Sequence, residues 1–240
     1  MSEKLPRHCR ECPRAASMGF ADLADCPSSP ARKAEVRRAI TAALASMTPE
    51  VRRHKSLRIG RQVAGREEFR RARVVMAYLA LELEVDPWSL IREAWSLGKT
   101  VVVPRIEPPL EEPRITMIHA RRIVPLALEP ELVDDPADHA GLQADVFGIH
   151  EPKAGAVEVP AGEIDLVMVP AMAIDRHGYR MGKGGGFYDR FLVQEGLRAT
   201  SCGLVFSEQV FASVLRCPHD RRVDLLVTET GVVDFRKVGR

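Results

Sequence analysis

The chain has 240 residues, with 35 basic against 33 acidic side chains (formal charge +2), 45% hydrophobic and 28% charged residues, and 5% aromatic ones. This composition excludes a disordered chain and a disulfide-stapled scaffold, and the near-neutral balance argues against a protein that holds nucleic acid by bulk charge. The length suffices for a large α/β domain with a sizeable core.

Residues 1–30 carry Pro6, Pro13, Pro27 and Pro30 with little periodicity and read as an irregular extension, leaving 31–240 as the folded domain. Within the extension His8, Cys9, Cys12 and Cys26 offer four soft ligands, but the spacing lacks a second Cys-x-x-Cys or a His pair, so zinc is not favoured. The five cysteines are odd in number and unevenly spread, which fits a reducing, cytoplasmic setting. The start is polar, and no run approaches the roughly 18 apolar residues of a membrane span.

From Arg32 onward Val36, Ile40, Ala43, Leu44 and Met47 share one helical stripe, predicting an amphipathic helix. Thr48-Pro49-Glu50 then reads as an N-cap with proline at the first helical position, opening a second helix to about Val63. The apolar run from Arg73 to Leu81 suits a buried strand, as does Thr100 to Val103. Asp86-Pro87 starts a helix between them and Gly98 closes it, which makes a βαβ unit and therefore parallel pairing. Ile115 to His119, Ile164 to Val169, Ser201 to Phe206 and Asp224 to Thr228 are further strand candidates, with a helix from about Tyr188 to Glu195. The alternation predicts a layered α/β domain, its mostly parallel central sheet flanked by helices.

The chemistry concentrates at residues 180–190, Arg-Met-Gly-Lys-Gly-Gly-Gly-Phe-Tyr-Asp-Arg, between a strand region and a helix. Glycines without Cβ allow backbone N–H groups to approach phosphate oxygens, and a helix start adds unpaired donors. Arg180 and Lys183 contribute charge. The segment is not a P-loop, having no Gly-Lys-Ser/Thr, nor the dinucleotide fingerprint, because Phe187 stands where the third glycine would fall. Asp189 can cap the helix or, beside a phosphate, hold Mg²⁺. His177, in the tetrad Asp175-Arg-His-Gly178, reads as a solvent-facing turn residue.

The run from Val169 to Arg190 resembles the signature of the 5-formyltetrahydrofolate cyclo-ligase (methenyltetrahydrofolate synthetase) family. Other matching pieces stand in order: Lys33-x-x-x-Arg37, Tyr78-Leu79 with Glu84, Gly98-Lys99 before Val103-Pro104-Arg105, Gly148 to Pro152, and His219-Asp220 before Val227-Thr228-Glu229. The resemblance spans about residues 32–230. It implies an enzyme that uses Mg·ATP to convert 5-formyltetrahydrofolate into 5,10-methenyltetrahydrofolate, releasing ADP and phosphate. It implies an ATP site from Lys33, Arg37, Arg180, Met181, Gly182, Lys183, Gly184, Gly185, Gly186, Phe187 and Tyr188, with Lys33, Arg180 and Lys183 as the catalytic cations. It also implies folate contacts at Leu79, Glu84 and Phe187 and Mg²⁺ ligands at Asp189 and Asp220. Family members often carry Tyr-Tyr before the metal aspartate; here Phe187 stands first, which keeps stacking and loses a hydroxyl. A folate- or nucleotide-binding relative without turnover is the alternative, and neither nucleic acid nor a membrane is expected as a partner.

Overall fold

In the computed structural model, residues 30–107, 117–123, 141–144, 150–153, 155–216 and 220–237 are described. The extension 1–29 and its candidate zinc ligands lie outside them, as does most of the linker between residues 124 and 149.

Helices α1 (Pro30–Ala45) and α2 (Pro49–Ala64) form where the stripe and cap predicted; Ile40 and Leu44 of the stripe are buried while Ala43 is exposed and Met47 lies past the helix end, and the Thr48 hydroxyl accepts from the Val51 N–H at 3.3 Å. After the short α3 (Glu67–Arg71), strand β1 (Val74–Met76) is briefer than the apolar run suggested. Ala77 N–H still reaches the Val102 carbonyl, and beyond it residues 77–81 leave the sheet as loop. Pro87 is itself the N-cap of α4 (Trp88–Ser96), and Asp86 just before it accepts from the Trp88 N–H at 2.9 Å, so proline precedes the helix and does not occupy its first turn. Gly98 follows with φ 71°, the left-handed turn that sends the chain into β2 (Thr100–Glu107).

Strands β3 (Met117–Ile123), β6 (Leu166–Pro170), β9 (Thr200–Leu204), β11 (Leu225–Thr228) and β12 (Gly231–Asp234) complete a seven-stranded sheet in the order β12-β11-β9-β6-β1-β2-β3. The five inner strands pair in parallel and the two edge strands antiparallel. Two small sheets accompany it: β4 (Leu142–Ala144) with β5 (His150–Pro152), and β7 (Ala173–Asp175) between β8 (Arg180–Met181) and β10 (Val210–Phe211). The helix predicted to run to Glu195 is only α5 (Phe187–Phe191), because the following backbone tightens into turns and Gly196 has φ 83°.

Both sheet faces are buried, which explains the unbroken apolar runs. Val75, Val101, Val103, Leu166 and Met168 face the α1, α2 and α4 side with Ile40, Ile59, Leu90 and Trp95. Their neighbours Met76, Val102, Val167 and Val169 face the opposite side with Phe191, Ile174 and Phe235. Among the described residues, no helix is long and apolar enough to cross a membrane.

Sheet order decides where a ligand can bind. From β1 the chain moves outward to β2, whereas from β6 it moves the other way to β9. The neighbours β1 and β6 thus flank a topological switch point, and the loops leaving their carboxyl ends diverge to open a crevice.

Candidate active site

The loop after β1 brings Glu84 to this crevice, and Pro170 to Met172 bring the end of β6. The hairpin β7–β8 then returns Arg180 toward the sheet edge. Its turn is the one expected around His177: Asp175 accepts from the His177 and Tyr179 N–H groups, His177 is exposed, and Gly178 has φ 87°. A Cβ at Gly178 would meet the Phe235 ring at 2.8 Å, so both backbone angle and space require glycine.

Residues 182–186 wrap the crevice and form two adjoining cavities that share Arg180 and the glycines. The outer one, about 410 Å³, is lined by Lys33, Arg37, the glycine loop, Asp189, Arg190, Val193, Asp220 and Arg221. The inner one, about 210 Å³, is lined by Glu84, Pro170, Ala171, Met172, Lys183, Phe187 and Tyr188 along with the shared residues.

Helix α1 places its cations on the outer cavity. Arg37 donates through Nε to the Gly182 carbonyl at 2.8 Å, and burial lowers its pKa with partial compensation from Asp220. A Cβ on Gly184, where φ is 115°, would come within 3.5 Å of the same guanidinium. Lys33 Nζ lies 3.2 Å from Asp220 Oδ2, both side chains being largely buried. Arg180, 4% exposed, donates through Nη1 to Asp189 Oδ1 at 2.8 Å, and the Arg221 N–H donates to the same oxygen at 3.0 Å.

These contacts correct one reading of the sequence. Asp189 does not cap α5: the N-cap is Gly186, at φ 64°, and no side chain caps the helix. Being in the first turn, the carboxylate instead turns sideways to Arg180. Asp220 pairs with Lys33 across 187 positions of sequence.

Two carboxylates beside five cations suit a hard divalent ion bound together with phosphate. Among the described residues no group of three or more His, Cys, Asp or Glu could hold a metal. Mg²⁺ characteristically takes one or two carboxylates and completes its shell with phosphate oxygens and water, so Asp189 and Asp220 fit an ion that arrives with a nucleotide.

On the inner side, Glu84 accepts the Leu81 N–H through Oε2 and pairs with Lys183 Nζ at 3.0 Å through Oε1. Leu79 is partly buried against the core and does not line this pocket. Phe187 packs over the loop, with the Arg190 guanidinium 5.2 Å from its ring centre and Arg190 Nη2 donating to the Gly185 carbonyl at 2.9 Å. A Cβ at Gly185 would collide with that ring at 2.4 Å. The Tyr188 hydroxyl is buried without a hydrogen-bond partner, and burial with the nearby Glu84 charge raises its pKa. Arg180 Nε is likewise buried and unpartnered.

The residues expected to hold ATP, folate or metal therefore line one two-part crevice, apart from Leu79, which packs against the core. Sequence reasoning missed Arg190, Val193, Arg221 and Met172. Arg190 was findable, since an arginine three positions after an aromatic shares its helix face. Arg221 acts through its backbone N–H, which no side-chain pattern reveals.

A glycine loop, converging cations and paired carboxylates at the switch point of a mostly parallel sheet define an α/β protein with a phosphate-type cleft opening onto a second ligand pocket. The sequence model of the 5-formyltetrahydrofolate cyclo-ligase family matches residues 29–229, and the chain belongs to that family. It is similar to the mouse 5-formyltetrahydrofolate cyclo-ligase, at 24% identity over 78% of this chain and 88% of the other. It is also similar to the mitochondrial cyclo-ligase of Arabidopsis thaliana, at 29% over 84% and 76%. The Aquifex aeolicus 5,10-methenyltetrahydrofolate synthetase superposes with a TM-score of 0.68 at 30% identity, covering 87% of this chain and 94% of that one.

Proposed function

We propose that this chain catalyses the ATP- and Mg²⁺-dependent closure of 5-formyltetrahydrofolate to 5,10-methenyltetrahydrofolate, with ADP and phosphate released. The observation that carries this reading is the shared wall: Arg180 and glycines 182, 184, 185 and 186 border both cavities, so a phosphate chain in the outer one abuts a substrate in the inner one.

The chemical difficulty is a leaving group, because a formamide oxygen cannot depart as oxide. The formyl oxygen attacks the γ-phosphorus and the bond to ADP breaks. N10 then adds to the activated carbon and loses its proton, and the oxygen departs as part of inorganic phosphate. Such transfer depends mostly on positioning and charge stabilisation. Lys33, Arg37 and Arg180 supply fixed positive charge around the phosphates. Lys183, 51% exposed, can leave Glu84 for a phosphate at small cost, since exposed pairs contribute about 0–1 kcal/mol. Glu84 is then available to ring N–H groups of the pterin, and Phe187 offers an aromatic face. Mg²⁺ bound at Asp189 and Asp220 would withdraw charge from the transferring phosphoryl group.

The domain carrying this chemistry is residues 31–240, with 1–30 an extension that takes no part in it. A cytoplasmic, reducing location fits Cys202, a free buried thiol. The test is direct: the full chain is mixed with 5-formyltetrahydrofolate and Mg·ATP, and methenyltetrahydrofolate absorbance is followed. Product that requires both ATP and Mg²⁺ supports the proposal, whereas folate binding without turnover points to the sequestering alternative.

A further inference from the structure

Between β6 and β7 the chain leaves one sheet and enters another, so the backbone of Ala171 and Met172 lies outside both ladders. These two residues, with Pro170, line the inner cavity and not the outer one. Their carbonyls are held by a single side chain. Gln209, 2% exposed, donates through Nε2 to the Ala171 carbonyl at 3.1 Å and to the Met172 carbonyl at 2.9 Å, while its Oε1 accepts the Phe206 N–H at 2.8 Å. A carboxamide has two N–H donors, and both are spent here on successive carbonyls of the cavity wall. Reversing it would set an oxygen against two carbonyl oxygens and an amino group against the Phe206 N–H, so the network admits one orientation.

The anchor behind this side chain is rigid. Gln209 closes one turn of 3₁₀ helix, Ser207–Gln209, just beyond the carboxyl end of β9. Ser207 donates through its N–H to Glu229 Oε2 at 3.0 Å and through its hydroxyl to Glu229 Oε1 at 2.6 Å, and Lys55 of α2 reaches the same carboxylate at 2.9 Å. Glu229, 4% exposed, directly follows β11. One carboxamide therefore registers the wall of the inner cavity to β11 and α2, although Gln209 lines neither cavity. We infer that Gln209 is a positioning residue for the reaction: by fixing the wall at Ala171 and Met172 it sets where the substrate in the inner cavity lies relative to the phosphate chain beyond the glycine loop. This role rests on the proposed function, which puts the folate in the inner cavity and the nucleotide in the outer one.

Gln209→Met keeps the length of the side chain and removes all three hydrogen bonds. The full-length variant is assayed with each substrate varied in turn, at a temperature where its melting curve shows it folded. Its kcat/KM for 5-formyltetrahydrofolate should fall on the order of tenfold to a hundredfold, as a misplacement of about 1 Å produces, while KM for Mg·ATP stays that of the parent. A role confined to stability would lower the melting temperature and leave both constants of the folded protein alone. That result overturns the inference, and so does an equal loss toward the two substrates. A second measurement uses the parent chain and holds even where the variant does not fold: the side-chain NH₂ resonances of Gln209 in ¹⁵N-labelled protein should shift on saturation with 5-formyltetrahydrofolate and stay in place with Mg·ATP. Resonances unmoved by bound folate, or moved only by the nucleotide, refute the coupling. If the parent neither binds nor converts the folate, the proposed function fails and this role with it; a parent that turns over beside an unimpaired Gln209→Met variant removes this role alone.

Discussion

Replacing Asp189 by asparagine separates what the carboxylate does for the fold from what it does for the reaction. Arg180 is 4% exposed and Asp189 19% exposed, and their 2.8 Å contact is charge-assisted. Asparagine retains one oxygen for either the Arg180 Nη1 or the Arg221 N–H, but it deletes the charge opposite a nearly buried guanidinium. A charge-assisted hydrogen bond contributes about 1.5–3 kcal/mol against about 0.5–1.5 for a neutral one. Complete removal of one partner of a buried pair costs about 3–5 kcal/mol, which sets the ceiling. The expected loss is therefore about 1–3 kcal/mol, or roughly 2–12 °C in melting temperature at about 2–4 °C per kcal/mol for a chain of this size. The measurement is thermal unfolding in chelator without nucleotide, so that no ion contributes, followed by the rate of methenyltetrahydrofolate formation across a Mg²⁺ titration. The rate should fall on the order of a hundredfold or more, since charge stabilisation during transfer is lost. An unchanged melting temperature would refute the structural reasoning and leave Arg180 held by something else; a near-normal rate at ordinary Mg²⁺ would remove Asp189 from the metal site.

Three further outcomes follow from the fold. At Gly203 in β9 a Cβ would meet Ile174 Cδ1 at 2.4 Å and Val223 Cγ2 at 3.2 Å, so Gly203→Ala should cost about 1–3 kcal/mol by overpacking, seen as a lower denaturant midpoint with an unchanged slope. Asp234 is held down to about 2 by hydrogen bonds from Arg236, at 2.9 Å from Nε and 2.7 Å from Nη2. A depressed carboxylate contributes stability that is complete above its ordinary value near 3.8 and is lost as pH falls toward 2. Arg236→Ala should flatten the decline in melting temperature between those values, and parallel curves for the two proteins would refute the coupling. Burial pushes the Cys202 thiol up to about 12, so its peptide should stay unalkylated by iodoacetamide at pH 8 until denaturant is added.

Much of the site was legible before any coordinates, because its elements are local. Glycines 182, 184, 185 and 186 stand consecutively enough to mark a backbone cradle, Thr48-Pro49 marks a helix start, and the apolar runs of β1, β2 and β6 mark strands buried on both faces. The family resemblance added residues that no local rule selects, such as Asp220. Two things depended on the tertiary structure. The first is pairing across sequence: Lys33 meets Asp220, and Glu84 meets Lys183, because the β1–β6 switch point gathers segments far apart in the chain. The second is side-chain direction, which placed Asp189 against Arg180 instead of at the helix cap and set Tyr188 on the wall of the inner cavity. A sequence lists which groups are present, but whether a carboxylate caps, pairs or awaits a metal depends on which partner the packing leaves nearest.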